Sequence, residues 1–210
     1  KSLLLSTFEA YFEGKKELFE GLAIEKMETE WKKYPVLHLD LNAKKYETPA
    51  DLIAMLNQTL EKWEIVYGNE KKDRSPEERF AYVIERAYEQ AGCGVVVLVD
   101  EYDKPLLQAL DNDALLEDYR KTLKAFYGVL KSADRYLRFA FLTGVTKFSQ
   151  VSVFSDLNQL NDISLDYSYA TVCGITRTEL VETFTPEIEE FGRVNKLSAE
   201  ETVDKMARQY

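Results

Sequence analysis

The stretch GVVVLVD at residues 94–100 constrains the fold more than any other part of the sequence. It holds five consecutive apolar residues, four of them valines, and then ends in an aspartate. This run predicts a β-strand covered on both faces, because a strand with one wet face would alternate apolar and polar residues. Such strands are typical of parallel sheets, whose crossover helices cover both faces.

Other segments are predicted to join this strand in one sheet. Residues 35–42 alternate in polarity after a proline, residues 138–144 form a second apolar run, and YATVCG at 169–174 offers a further short strand. Apolar residues at helical spacing predict helices in the intervening parts of the chain, over residues 3–12, 48–66, 75–87 and 113–133. Strands separated by helices predict an α/β domain with a mostly parallel sheet.

The last part of the chain has a different pattern. Thr176 with Glu179, and Ser198 with Glu201, have the spacing of capping boxes and predict two short helices. Thr185-Pro186 is expected to break the pattern between them. We therefore expect an α/β domain over residues 1–175, and the start of a helical lid subdomain over residues 176–210.

Composition narrows the class of protein. The net charge of −10 argues against non-specific nucleic-acid binding, which needs clustered lysine and arginine. Two separated cysteines, expected to be buried thiols, and one histidine argue against a zinc site. The sequence has no run of 18 apolar residues, so we expect a cytoplasmic protein that does not span a membrane. Because it begins with Lys1 rather than methionine, we expect a segment of a longer protein.

Polar residues follow the two strongest strands, at the edge where open parallel sheets bind ligands. Asp100 and Glu101 end the first of these strands, and Thr143 ends the second. In one interpretation, Asp100 holds Mg²⁺ through water while Glu101 orients and activates an attacking water. In the other, the strand simply enters a polar loop, with Asp103 capping a helix that begins near Pro105.

The chain opens with Lys1-Ser2 directly before a predicted helix. A P-loop has the form G-x-x-x-x-G-K-[ST], followed by a helix, and Lys-Ser is what remains when it is cut before the lysine. By itself this pair has little weight, because any chain can begin in this way. Thr143, at the end of its strand, has two interpretations: it senses a γ-phosphate, or it makes a turn. Lys147 and Ser149, which follow it, are expected near the same site.

Four strings together give a more specific signal than any single motif. The chain resembles the predicted AAA-ATPase-like family, whose full-length members typically carry a nuclease-like region of the PD-(D/E)XK type. The resemblance rests on KSLLLSTFEAYFEGKKELFEGLAI, VVVLVDEYDKP, FLTGVTKFSQVSVFSDLNQLNDISLD and YATVCGITRTEL. It implies a three-layer P-loop fold of the additional-strand, AAA/STAND-like kind. The first strand and the glycine-rich loop of that fold lie outside this sequence.

The resemblance also implies roles for single residues. Lys1 and Ser2 would end the Walker A motif, Asp100 and Glu101 would form Walker B, and Thr143 would lie near the sensor position. Lys1, Ser2 and Thr143 would contact nucleotide, Ser2 and Asp100 would hold the metal, and Glu101 would be catalytic. The implied cofactors are ATP and Mg²⁺, although no motif selects adenine over guanine.

The resulting hypothesis is a P-loop ATPase core that couples Mg·ATP turnover to a conformational change. Its partner would be ATP in the full-length protein, with self-association possible and no nucleic-acid binding expected of this segment. A nucleotide-dependent or degenerate interaction module without turnover is the alternative, so whether the segment is an enzyme stays open. A nuclease built on Asp100, Glu101 and Asp103 is disfavoured, because Asp103 stands where the usual motif has a lysine.

Overall fold

The structure is a computed structural model that describes residues 1–145, 152–154, 157 and 159–208 of the chain. Two compact units, Lys1–Asp162 and Ile163–Tyr210, divide it. The first unit contains the sheet, and the second contains helices and turns.

The described part of the first unit has one sheet of three parallel strands in the order β1-β2-β3. These are β1 (Val36–Asp40), β2 (Val95–Asp100) and β3 (Leu137–Leu142). All six residues of the central β2 are buried, as its unbroken apolar run predicts. The α/β class and the parallel sheet expected from the sequence are confirmed.

Among the residues described in the first unit, six α-helices connect and cover the strands. They are α1 (Ser2–Phe12), α2 (Ala23–Met27), α3 (Pro49–Tyr67), α4 (Pro76–Ala91), α5 (Lys104–Gln108) and α6 (Asp113–Ser132). Both α3 and α4 begin with proline after a capping box, made by Thr48 with Asp51 and by Ser75 with Glu78. Proline suits the first position of a helix because its missing N–H would have no partner there.

Helices bury both faces of the sheet. On one face, Leu5 and Phe12 of α1 pack with Val96 and Leu98 of β2. On the other face, the alternate residues of β2 join a larger core with α3, α4 and α6, in which the rings of Phe80 and Phe126 stack with centroids 4.5 Å apart. Burial of this much apolar surface is the main stabilising contribution to such a domain.

The second unit contains α7 (Arg177–Thr183), α8 (Thr185–Asn195) and α9 (Ala199–Ala207). The capping boxes predicted at Thr176 and Ser198 start α7 and α9. The expected break occurs, because α7 ends at Thr183, but the expectation of two helices is wrong. Pro186 lies in the first turn of a further helix, α8, where proline is well tolerated.

The prediction of a strand at residues 169–174 is also wrong. A 3₁₀ turn, Tyr167–Tyr169, leads into further turns instead of pairing with a strand. Tyr169 and Val172 are more than 40% exposed, so this short run lacks the cover that a buried strand needs. Cys173 is likewise exposed and Cys93 half-buried, which corrects the expectation of two buried thiols. None of the described helices is long and apolar enough to cross a membrane.

Candidate functional site

The carboxylate of Asp100 connects three elements at the carboxyl edge of the sheet. One of its oxygens accepts a hydrogen bond from Ser2 Oγ at 2.6 Å, and the other accepts one from Thr143 Oγ1 at 2.6 Å. Asp100 is 5% exposed, and Thr143 is also buried. Three residues from distant parts of the sequence therefore meet around one buried carboxylate.

The secondary structure explains this meeting. Asp100 is the last residue of β2, and Thr143 directly follows β3, which pairs with β2 in parallel. The Thr143 N–H donates to the carbonyl oxygen of Val99 at 2.8 Å, which holds the two strand ends in register. Ser2 is the first residue of α1, which packs on the same sheet.

The environment of Asp100 favours its charged form. Burial raises the pKa of this carboxyl, but the hydrogen bonds from Ser2, Thr143 and the Glu101 backbone, with the other lowering contribution, leave the pKa below its ordinary value. A smaller lowering contribution comes from nearby His38, whose Nδ1 lies 3.0 Å from Glu9 Oε2. Asp100 is therefore an anion at neutral pH, able to hold a cation.

Lys1 and Glu101 form an ion pair beside this carboxylate. Lys1 Nζ lies 3.3 Å from Glu101 Oε1 and donates a hydrogen bond to the Gly144 carbonyl oxygen at 2.8 Å. Side-chain exposure is 38% for Lys1 and 18% for Glu101. The pair is partly open to solvent, so both groups are accessible to a ligand.

The backbone of Glu101 has a left-handed conformation, with φ of 53°. For a residue with a Cβ this conformation costs about 1 kcal/mol, and the surrounding contacts must hold it in place. The Lys104 N–H donates to the Glu101 carbonyl, while the Tyr102 N–H donates to the Thr143 carbonyl. Tyr127 Oη donates to the Tyr102 carbonyl at 3.1 Å. These bonds fix the turn that aims Glu101 toward Lys1.

Asp103 makes a contact that the sequence analysis did not predict. It lies at the N-cap of α5, but its side chain makes no capping hydrogen bond. Its carboxylate is fully buried and accepts the Val145 N–H, with oxygens 3.0 and 3.2 Å away. The predicted N-cap position of Asp103 is confirmed, but its side chain contacts the segment after β3 and makes no capping hydrogen bond to α5. The available signal was a third acidic residue close behind Asp100 and Glu101.

Gly144, at the end of the second predicted strand, has a role that the sequence analysis did not assign. A Cβ on this glycine would stand 2.7 Å from Asp103 Oδ1 and 2.7 Å from Tyr102 Cε1. No side chain fits there without displacing one of the two segments. The available signal was a glycine directly after the polar end of a strand.

The side chains at this edge suit a magnesium ion that is shared with phosphate. The Ser2 hydroxyl and the Asp100 carboxylate are hard oxygen donors, which Mg²⁺ prefers. Among the described residues, no cluster of three or more His, Cys, Asp or Glu side chains could hold a metal ion without other ligands. Mg²⁺ is usually bound by one or two protein oxygens, and phosphates and waters complete its coordination shell.

The structure thus brings together all five residues that the sequence analysis selected for the site: Lys1, Ser2, Asp100, Glu101 and Thr143. Lys147 and Ser149 lie outside the residues that the structure describes.

Comparison with known proteins identifies relatives of this domain. The chain is 38% identical over 188 residues to a protein of Azotobacter chroococcum mcd 1 described as "Uncharacterized protein in vnfD 5'region". The match covers 90% of the chain but 36% of that relative, so the chain spans about a third of its length. No solved structure matches. The family model described as "Predicted AAA-ATPase" matches residues 1–154, almost three quarters of the chain, and the chain therefore belongs to this predicted AAA-ATPase family.

Proposed function

We propose that the carboxyl edge of the sheet binds a nucleoside triphosphate with Mg²⁺, and that the full-length protein hydrolyses it and couples hydrolysis to a conformational change. The observation that carries the proposal is the Asp100 carboxylate shared by Ser2 and Thr143, with the Lys1–Glu101 pair beside it. The family supports an ATPase-like activity in general. We extend this to a three-layer P-loop fold of the AAA/STAND-like kind.

In this proposal the anionic end of the nucleotide lies near Lys1, whose ammonium group neutralises phosphate charge. Ser2 and Asp100 would hold Mg²⁺, which would neutralise charge on the phosphate oxygens. The Ser2 hydroxyl donates to Asp100 in the present structure and would turn a lone pair toward the cation. Thr143 keeps its hydrogen bond to Asp100, and the same hydroxyl oxygen can accept a hydrogen bond from a water molecule beside the terminal phosphate.

Glu101 is the proposed base. In the present structure its carboxylate is paired with Lys1. Phosphate oxygens compete for the same ammonium group, so nucleotide binding would release the Glu101 carboxylate. A free carboxylate beside the terminal phosphate can orient a water molecule and accept its proton as the water oxygen bonds to phosphorus. The bond from that phosphorus to the bridging oxygen breaks, and the nucleoside diphosphate leaves.

Binding and hydrolysis should be measured in the full-length protein, with ATP and GTP and with and without Mg²⁺. Asp100→Asn removes the anionic metal ligand, and we expect at least about a tenfold loss of affinity that is specific to the Mg²⁺ condition. Asp111→Asn, at an exposed position after α5, is the matched control and should bind normally.

Three outcomes of this experiment have different meanings. Mg²⁺-dependent binding with hydrolysis supports the proposal, whereas binding without hydrolysis favours an interaction module that nucleotide switches. If neither wild type nor control binds any nucleoside triphosphate, the proposed site is wrong.

A further inference from the structure

Asp103 is a buried carboxylate that the proposed chemistry does not use. It is fully buried, and its carboxylate oxygens lie 3.0 and 3.2 Å from the backbone nitrogen of Val145. Burying a carboxylate is costly unless it is hydrogen-bonded. Because the side chain makes no capping bond to α5, helix capping does not explain why an aspartate stands here.

The bond from Val145 joins two segments that both contribute to the site. One is the turn Glu101–Asp103 after β2, and the other is the segment Thr143–Val145 after β3. A second backbone bond, from the Tyr102 N–H to the Thr143 carbonyl at 2.8 Å, joins the same two segments. They are therefore fixed to each other on both sides of Gly144.

This double attachment determines where two site groups lie. Thr143 Oγ1 is held on Asp100, and the Gly144 carbonyl is held where it accepts from Lys1. Gly144 also passes so close to Asp103 that a Cβ there would be 2.7 Å from its Oδ1. A displacement of Val145 therefore moves the Gly144 carbonyl, and through the backbone it moves Thr143.

We propose that Asp103 is a positioning residue, which clamps the segment after β3 against the turn that carries Glu101 and so fixes Thr143 relative to Glu101. The inference rests on the proposed function, because it assigns Asp103 to the hydrolysis step. When phosphates draw Lys1 away from the Gly144 carbonyl, the clamp keeps the segment from following. Its loss therefore impairs hydrolysis much more than nucleotide binding.

The test uses Asp103→Asn in the full-length protein. The amide has the shape of the carboxylate, but it offers one acceptor oxygen without a charge. We expect kcat for ATP to fall by about tenfold or more while KM changes by less than about threefold. A small misplacement of reacting groups lowers the rate of the chemical step much more than it weakens substrate binding. Asp111→Asn, at an exposed position, is the control and should leave both constants unchanged.

Amide hydrogen exchange gives a readout that general destabilisation would not produce. In Asp103→Asn, exchange at the Val145 N–H should accelerate while β2 and the centre of β3 keep their protection. Gly144→Ala strains the same contact from the opposite side, and it should give the same local exchange and the same fall in kcat. If Asp103→Asn does not fold, Gly144→Ala decides the question.

Unchanged kcat in either folded variant, or exchange that rises across the whole sheet, would overturn the assignment of Asp103. Failure of the proposed function looks different, because wild type itself would then neither bind nor hydrolyse nucleotide. In that case the role in hydrolysis fails too, while Val145 exchange still shows whether the clamp exists.

Discussion

Ser2 Oγ and Asp100 Oδ2 are 2.6 Å apart although 98 positions separate them in the chain. The bond fixes the first turn of α1 to the carboxyl end of the buried strand β2. Backbone N–H groups at the start of a helix attract anions, and a carboxylate attracts cations. Their contact therefore creates a place where an anion and a cation can bind side by side, as a magnesium-bound phosphate requires.

The first prediction concerns the charge state of Asp100. Thr143→Val preserves the shape of the side chain but removes one of the two hydroxyl donors to this carboxylate. Because hydrogen bonds hold the Asp100 pKa below its ordinary value, the pKa should rise in the variant. Titration of the Asp100 carboxyl carbon by NMR measures this shift. Thr7→Val, which changes an exposed hydroxyl of α1, should leave it unaltered.

The same variant has a defined pH dependence of stability. A lowered pKa means that Asp100 contributes stability above its unfolded-state pKa of 3.8, and that this contribution is lost as pH falls through the folded-state pKa. Thr143→Val should therefore cost about 2 kcal/mol of unfolding free energy at pH 7 and less in acid. An equal cost at pH 7 and pH 3 would show that the hydroxyl acts by packing alone.

The second prediction concerns Glu101. Glu101→Gln keeps the size of the side chain but removes its ability to accept a proton, so hydrolysis of ATP by the full-length protein should fall by about a hundredfold or more. Binding should persist and become tighter, because Lys1 loses a competing anion. Single-turnover hydrolysis and equilibrium binding separate the two effects. Glu117→Gln, on the exposed side of α6, is the control. Wild-type turnover in Glu101→Gln would exclude Glu101 as the base.

The third prediction concerns a buried ion pair away from the site. Arg79 of α4 donates from Nε and Nη2 to the two carboxylate oxygens of Glu64 in α3, each at 2.7 Å, and both residues are buried. Glu64→Ala leaves the guanidinium buried without this partner. We expect the free energy of unfolding to fall by about 3–5 kcal/mol. Urea unfolding measures it. Glu89→Ala breaks an exposed pair with Arg86 and should cost less than about 1 kcal/mol.

Local patterns in the sequence were sufficient to predict most of the strands and long helices of the first unit. The apolar run of β2 predicts a buried parallel strand. A residue suited to an N-cap and followed by proline, at Thr48 and at Ser75, predicts where α3 and α4 begin. Because parallel strands end at one edge, the same reasoning predicts that Asp100 and Thr143 lie close together, and they share a hydrogen bond. These predictions depend only on period, caps and strand direction.

Features that depend on tertiary contacts could not be predicted in this way. The run at 169–174 is too short for its period to separate a strand from exposed turns. Pro186 can end one helix or begin the next, and only the chain around it decides. Asp103 accepts a hydrogen bond from the backbone N–H of Val145. Because nearly every residue has such a group, the residue types do not indicate which one will bind the carboxylate.

The last prediction compares two glycines of the first unit. Gly94 precedes β2, and a Cβ there would stand 2.9 Å from both N and Cβ of Arg138, where backbone cannot easily yield. Gly94→Ala should therefore separate β2 from β3 and cost about 1–3 kcal/mol. Gly128 lies inside α6 with nothing within 4 Å of a Cβ. Gly128→Ala should stabilise the domain by about 1 kcal/mol, because alanine favours the helix. Midpoints of urea unfolding should thus move in opposite directions, and a shift of both in the same direction would contradict the close approach at Gly94.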